Sequence, residues 1–194
     1  FKGSAARPTA LEISEAIEGV GGYLNAATSF DTTVYYCKVA NIHMQRGLDL
    51  LADMLINPLF EAKEIEKERG VIQEEIKMSL DVPAHWVHQV LDEVMWGDQP
   101  LGRDIAGTLE TVGGMTRDDL LGYRGRHYTA GNTVISVAGN IDGAQMVEAI
   151  TRWFGSYPSL ERQAPFATEA HQPGATVRLI TKSTEQTNFA LGLK

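Results

Sequence analysis

The sequence predicts an α+β fold, with an antiparallel or mixed sheet flanked by helices, and three observations support this class. Helical periodicity of apolar residues recurs along the chain, short segments rich in β-branched and aromatic residues stand between the helices, and the two kinds of segment do not alternate strictly. Of the 194 residues, 43% are hydrophobic and 22% are charged. That composition is typical of a globular protein and excludes disordered, collagenous and disulfide-scaffold classes.

The first part of the chain is predicted to form a helix followed by a hairpin. Thr9 and Glu12 make a capping box before an apolar face, which predicts a helix over residues 9–18. β-branched and aromatic residues over 23–29 and 32–40, joined by a short connection, predict two paired strands.

Three helices are predicted next, because apolar residues recur at helical spacing over residues 43–57, 60–80 and 84–96. Pro58 ends the first of them and Pro83 separates the other two, since proline interrupts helical hydrogen bonding. Beyond them the sequence predicts a helical turn near Leu109, a helix over 116–127 capped by Thr116 with Asp119 in its first turn, a buried strand over 133–138, a helix over 143–154, and strand-like runs over 176–181 and 187–193.

Charge and cysteine content narrow the function classes. The formal net charge of -8 argues against nucleic-acid binding, because an acidic chain repels phosphate backbones. No apolar stretch is long enough to span a membrane. The single cysteine, Cys37, lies in an apolar run and is predicted to be a buried or half-buried strand residue rather than a nucleophile.

The predicted helix over residues 60–80 carries the most informative acidic pair. Seven residues separate Glu68 from Glu75, so the two carboxylates lie about 20° apart on one helical stripe, two turns from each other. A Glu- and Lys-rich helix is most simply a solvated face with ion pairs. Ile72 lies on the same stripe, however, and a carboxylate beside a buried isoleucine needs a partner, such as a metal ion that accepts carboxylate oxygen.

A second possible metal site is the pair His85 and His88, three residues apart on a predicted helix, with Glu93 downstream. Nothing else in the sequence converges on this pair. The alternative is an amphipathic helix whose imidazoles lie at the edge of the apolar face. The sequence contains no Ser–His–Asp arrangement, phosphate-binding glycine loop or CxxC motif.

Several sequence blocks occur in a fixed order over nearly the whole chain: FKGS at residues 1–4, LNAATS at 24–29, TVYY at 33–36, ERGVIQEEI at 68–76, PLGR at 100–103 and YTAGN at 128–132. In order and spacing they resemble the pitrilysin family of zinc metallopeptidases, which includes insulin-degrading enzyme and the mitochondrial processing peptidases. Within that family the chain is most similar to bacterial relatives of the processing peptidase beta subunit.

The resemblance implies roles for four residues. In this family an inverted motif, His-x-x-Glu-His, supplies two zinc ligands and the general base, and a downstream Glu completes the site. By that register the motif ends just before Phe1, Glu75 is the metal ligand and Glu68 supports it from the outer shell. Asn25 and Ala26 would hold the backbone of a peptide that adds to an edge strand. The alternative for Asn25 is that it satisfies buried backbone groups.

The resemblance therefore implies a fragment of a zinc endopeptidase that hydrolyses peptides or unfolded polypeptides by metal-activated water. We expect Zn²⁺ in the intact protein and none in the isolated chain, which we expect to be inactive because one carboxylate cannot retain zinc. The alternative is a non-catalytic family member that acts as an assembly or partner subunit.

The same resemblance sets the expected organisation and partners. Residues 1–158 would be a first peptidase domain that lacks its N-terminal strand and zinc-motif helix, 159–175 a linker, and 176–194 the start of a second domain, so that the fold is truncated at both ends. Expected partners are a peptide substrate and either an oligomer or a second half-molecule that completes a chamber, without nucleic acid or membrane. A cytoplasmic, bacterial-type location is favoured, and the cleavage preference is left open.

Overall fold

A computed structural model describes residues 2–161, 164–170, 174–183 and 185–193. Phe1 and parts of the expected linker and second-domain start lie outside the described residues. The helices and strands are α1 Ala10–Glu18, β1 Tyr23–Thr28, β2 Thr33–Lys38, α2 Met44–Ile56, α3 Ala62–Asp81, α4 Pro83–Trp96, α5 Leu109–Gly114, α6 Arg117–His127 and α7 Gly143–Phe154. A helix-rich chain with a small antiparallel sheet agrees with the predicted α+β class.

The chain divides into two compact units. The first contains Phe1–Glu66 and Thr116–Gln163, and therefore holds α1, the β1–β2 hairpin, α2, α6 and α7. The second contains Lys67–Met115 and Ala164–Lys194, and holds most of α3 together with α4 and α5. None of the helices in the described residues is long and apolar enough to cross a bilayer.

The core of the first unit joins α1, α2 and the hairpin. Ile13 and Ile17 of α1 pack with Leu50 and Met54 of α2, and Leu24 of β1 packs against this cluster. Fully burying an aliphatic side chain of this size contributes about 1.5–3 kcal/mol. These few side chains therefore fix the hairpin on the helices and set the position of β1.

The predicted helix caps are confirmed. Thr9 Oγ1 accepts a hydrogen bond from the Glu12 N–H, and the Glu12 carboxylate accepts one from the Thr9 N–H. Thr116 and Asp119 form the same reciprocal pair at the start of α6. Each box satisfies backbone donors that a helix N-terminus leaves without partners, which is why the pattern could be recognised in the sequence.

A buried polar network attaches the segment before α1 to α2. Ser4 Oγ donates to Asp53 Oδ2 at 2.5 Å, and Arg7 donates to the same oxygen at 3.2 Å and to Asp49. Asp53 is only 7% exposed. A carboxylate at this depth is stable because it is paired and hydrogen-bonded.

The prediction of further strands is wrong for the described residues. Residues 133–138, 176–181 and 187–193 form no strand there, and the sheet consists of β1 and β2. The segment predicted as a buried strand is largely exposed, with Val134 at 92%. A strand needs a neighbour for its backbone hydrogen bonds, and none of these segments has a paired strand in the described part of the chain.

Candidate functional site

Helix α3 carries both predicted acidic residues, Glu68 and Glu75. Glu75 is exposed and Glu68 is half-buried. Ile72, which lies between them on the stripe, is also only half-buried, while Ile76 on the neighbouring face is buried. The expectation of a buried isoleucine on the Glu68–Glu75 stripe is therefore wrong, because the buried Ile76 lies off that stripe. Glu75 faces solvent in the described structure.

Arg69 anchors α3 to the end of α5. Its guanidinium donates to the carbonyl of Val112, to that of Gly113 at 3.1 Å and to that of Met115 at 2.7 Å. These are carbonyls at the C-terminal end of a helix, where intrahelical donors run out and a cation is favourable. Gln73, one turn further along α3, approaches the Leu109 carbonyl at 3.5 Å.

This anchor sets the rotation of α3 about its axis. Six residues separate Arg69 from Glu75, so their side chains point about 120° apart around the helix. Arg69 and Gln73 hold one face of α3 against α5, and the Glu68–Glu75 stripe lies on a different face. Arg69 was missed in the sequence because a basic residue inside a Glu- and Lys-rich helix looks like a surface ion-pair partner.

The described residues do not fit zinc as a complete donor set. Glu75 offers a carboxylate, which is a suitable donor, but zinc sites in proteins use three or four protein ligands. No group of three His, Cys, Asp or Glu side chains within the described ranges could hold a metal ion. His85 and His88 are both exposed on α4, and no third ligand joins them in that part of the chain.

The direction of each backbone N–H and C=O group of β1 follows from the register of the hairpin. The hairpin closes with the Ser29 N–H donating to the Thr32 carbonyl at 2.8 Å, next to the register pair Thr28 and Thr33. Hydrogen-bonded and non-hydrogen-bonded pairs alternate along an antiparallel ladder. The pair of Ala26 with its partner on β2 is therefore non-hydrogen-bonded, and the N–H and C=O groups of Ala26 point to the outer edge of β1.

No strand pairs with that outer edge among the described residues. The side chain of Asn25 lies over it instead. Asn25 Oδ1 accepts a hydrogen bond from the Ala26 N–H at 2.8 Å, and Asn25 Nδ2 donates to the Tyr23 hydroxyl at 2.6 Å. Asn25 is exposed, and the backbone group that its side chain satisfies is the N–H at this edge.

The other face of the hairpin is structural. The hydroxyl groups of Tyr35 and Tyr128 are hydrogen-bonded at 2.6 Å, and burial, followed by this bond, raises the pKa of Tyr35 far above its ordinary value. Cys37 is half-buried, as predicted, and burial raises the pKa of its thiol. A thiol that resists ionisation is a poor nucleophile.

Comparison with known proteins decides the family. Residues 1–109 match the family described as "Insulinase (Peptidase family M16)", and residues 114–194 match the "Peptidase M16 inactive domain". The chain belongs to the insulinase family of peptidases. This confirms the resemblance drawn from the sequence blocks, since pitrilysin is among the solved structures that the chain resembles.

Curated relatives within the insulinase family are named zinc proteases. The chain is 39% identical to the uncharacterized zinc protease YmxG of Bacillus subtilis (strain 168) over all of its own length and 46% of that protein. It is 37% identical to the uncharacterized zinc protease ML0855 of Mycobacterium leprae (strain TN), over all of its length and 44% of that protein. The chain thus spans just under half the length of these relatives.

Solved structures confirm the insulinase-type fold. A protease from Helicobacter pylori aligns with a TM-score of 0.80 at 22% identity, over 89% of this chain and 42% of that one. Pitrilysin aligns with a TM-score of 0.75 at 26% identity, over 86% of this chain and 18% of that one. The first likeness, at its low identity, concerns the fold alone.

Proposed function

We propose that this chain is part of a zinc-dependent endopeptidase that hydrolyses peptides or unfolded polypeptides. In this proposal Glu75 is one metal ligand, Glu68 supports it, and the outer edge of β1, at Asn25 and Ala26, binds the substrate backbone. Zinc in the intact protein would supply an activated water and polarise the scissile carbonyl. The chain's own part is to hold one carboxylate and one strand edge in place.

The observation that carries the proposal is the setting of Glu75 on α3. The carboxylate is exposed, it shares a stripe with Glu68, and it belongs to a helix whose other face is fixed to α5 through Arg69. A metal ligand needs an accessible oxygen on a rigid element. Membership of a family whose curated relatives are named zinc proteases supports the same role.

The β1 edge supports the substrate part of the proposal. Ala26 directs both of its backbone hydrogen-bonding groups outward, and no strand of the described chain occupies them as a partner. An extended peptide that adds to such an edge gains main-chain hydrogen bonds whatever its side chains are. This suits an endopeptidase that accepts unfolded polypeptides of varied sequence.

We further propose the domain organisation expected from the sequence, with a first domain at 1–158, a linker at 159–175 and the start of a second domain at 176–194. We also propose that the chain is similar to relatives of the processing peptidase beta subunit and that the protein is cytoplasmic. We propose that an oligomer or a second half-molecule completes a chamber. Size-exclusion chromatography of the full-length protein tests the assembly, and a strictly monomeric half-molecule would contradict it.

Zinc analysis and a fluorogenic peptide assay on the 194-residue chain test whether this chain holds only one of the zinc ligands. One carboxylate cannot retain zinc, so we expect the dialysed chain to hold no stoichiometric zinc and to cleave no peptide. The full-length protein, prepared in the same way, is expected to hold stoichiometric zinc and to cleave the peptide. Stoichiometric zinc together with activity in the 194-residue chain would contradict the proposed ligand set.

A non-catalytic partner subunit is the alternative function. Such a subunit has no need of metal ligands, whereas the resemblance implies that Glu68 and Glu75 occupy the two acidic positions of the family. The residues immediately upstream of Phe1 in the natural protein distinguish the two functions. His-x-x-Glu-His at that place would support the enzyme. Any other residues at the two His positions would contradict the enzyme and favour the non-catalytic partner subunit.

A further inference from the structure

The outer edge of β1 is covered by a side chain rather than left open. The Ala26 N–H needs an acceptor, so the oxygen of the Asn25 amide faces it and the nitrogen faces the Tyr23 hydroxyl. The two bonds, at 2.8 and 2.6 Å, fix both ends of one amide group. Asn25 therefore occupies the donor that a peptide strand would use on this residue.

We propose that Asn25 is a displaceable cap on the β1 edge and that Tyr23 is the residue that positions it. The inference rests on the proposed addition of an extended peptide to this edge. A peptide strand that pairs with β1 brings a carbonyl oxygen to the Ala26 N–H, so Asn25 Oδ1 leaves before that bond forms. The Tyr23 hydroxyl stabilises the covered state because it accepts a hydrogen bond from Asn25 Nδ2.

The cap has a physical rationale on this strand. An unpaired edge is a template for pairing with other chains, and proteins commonly protect such edges. A side chain that satisfies the N–H without peptide, and yields to a peptide carbonyl, protects the edge while keeping it usable. Tyr23 is 52% exposed and Asn25 is exposed on the same face of β1, so the amide has solvent into which it can rotate.

The proposal predicts that removing one hydroxyl group strengthens peptide binding. Tyr23→Phe keeps the ring but frees the Asn25 amide, which lowers the cost of uncovering Ala26. Because one hydrogen bond of this kind is lost, the dissociation constant of Tyr23→Phe for the peptide is expected to be about two- to tenfold lower than that of the wild type. The measurement is fluorescence anisotropy of a fluorescein-labelled peptide of alternating lysine and valine, chosen because it is extended, self-repelling and complementary to an acidic chain.

Two controls isolate the edge. Tyr36, opposite Asn25 on β2, is 42% exposed, and its ring lies 6.1 Å from that of Tyr23. Tyr36→Phe therefore removes a comparable hydroxyl and leaves the hydrogen bond between Asn25 and Tyr23 in place. The affinity of Tyr36→Phe for the probe is expected to equal that of the wild type. A backbone N-methylated copy of the probe, which cannot donate main-chain hydrogen bonds to an edge, is expected to lose binding to every variant.

Amide hydrogen exchange at Ala26, followed by NMR, reports on the cap without any peptide. Tyr23→Phe and Asn25→Ala are both expected to speed exchange at this amide, and Tyr36→Phe is expected to leave it unchanged. A variant that merely loosened the hairpin would instead speed exchange at the inward-facing amides of β1, such as Ala27.

The outcomes separate this inference from the proposed function. If the wild-type chain binds neither form of the probe, or binds both forms equally, the proposed peptide edge fails. If it binds only the unmethylated probe and Tyr23→Phe binds that probe with equal or lower affinity, the peptide edge stands and the cap is refuted. Unchanged exchange at Ala26 in Tyr23→Phe also refutes the positioning role of Tyr23.

Discussion

Gly22 lies where the chain leaves α1 and enters β1, against the core of the first unit. A Cβ atom at this position would lie 2.7 Å from Ile17 Cγ2, 2.8 Å from Val39 Cγ1 and 2.9 Å from the Ile17 carbonyl oxygen. The backbone oxygen cannot move aside as a flexible side chain could. Only glycine therefore permits this close approach.

Gly22→Ala is expected to lower the free energy of unfolding by about 1–3 kcal/mol, the usual cost of overpacking. The matched control is Gly70→Ala in α3, where a Cβ would have no atom within 4 Å and alanine is the better helix former. That variant is expected to gain about 0.5–1 kcal/mol. Urea unfolding of both variants measures the difference, and equal effects would contradict the packing around Gly22.

Residue-scale contacts were the least predictable part of the site. The spacing of Glu68 and Glu75 follows from helical geometry alone, so both were found in the sequence. The roles of Arg69 and Tyr23 depend on where carbonyl groups of α5 and the amide of Asn25 come to lie, which no local pattern encodes. The alternation of Tyr23 and Asn25 on one strand face is the single signal that could have paired them.

At the scale of elements, α6 shows how the stability that a helix cap contributes depends on pH. Asp119 Oδ2 accepts hydrogen bonds from Thr116 Oγ1 at 2.6 Å and from the Thr116 N–H at 2.8 Å. These bonds, the side-chain one first, hold the pKa of Asp119 below its ordinary value. A carboxyl whose pKa is lower in the folded state contributes stability above its unfolded pKa and loses it as the pH falls through the folded pKa.

Asp119→Ala is therefore expected to reduce stability most at neutral pH, with a difference from the wild type that shrinks in acid as Asp119 becomes protonated. Urea unfolding at a series of pH values measures this difference. Asp118→Ala is the control, because Asp118 shares the first turn of α6 but forms no capping box. A difference for Asp119→Ala that stays constant down to acid pH would contradict the assignment.

The elements themselves were predicted unequally. Helices α1, α2, α3, α4, α6 and α7 agree with the sequence within a few residues, because caps, prolines and apolar spacing are local signals. The β1–β2 hairpin was also predicted, since its two strands are neighbours in sequence. The segment at 133–138 was wrongly predicted to be a buried strand, because strand pairing depends on a partner that local sequence does not supply.

At the scale of the whole molecule, each of the two compact units holds one of the features on which the proposed function rests. Helix α3 is fixed by Arg69 with Glu75 exposed, and β1 directs the backbone of Ala26 to an outer edge. The family could be predicted from the sequence because several blocks agreed in order. The complete zinc site could not, since no group of three His, Cys, Asp or Glu side chains in the described part of the chain could hold a metal ion.

The zinc content of the full-length natural protein, measured after dialysis for the wild type, Glu75→Gln and Glu74→Gln, tests the central claim most directly. Glu74 is the matched control, because it is the neighbouring exposed carboxylate on α3 and pairs with Lys77 at 2.7 Å. We expect the wild type and Glu74→Gln to retain stoichiometric zinc and Glu75→Gln to lose most of it. Stoichiometric zinc in Glu75→Gln would contradict the assignment of Glu75 as a ligand.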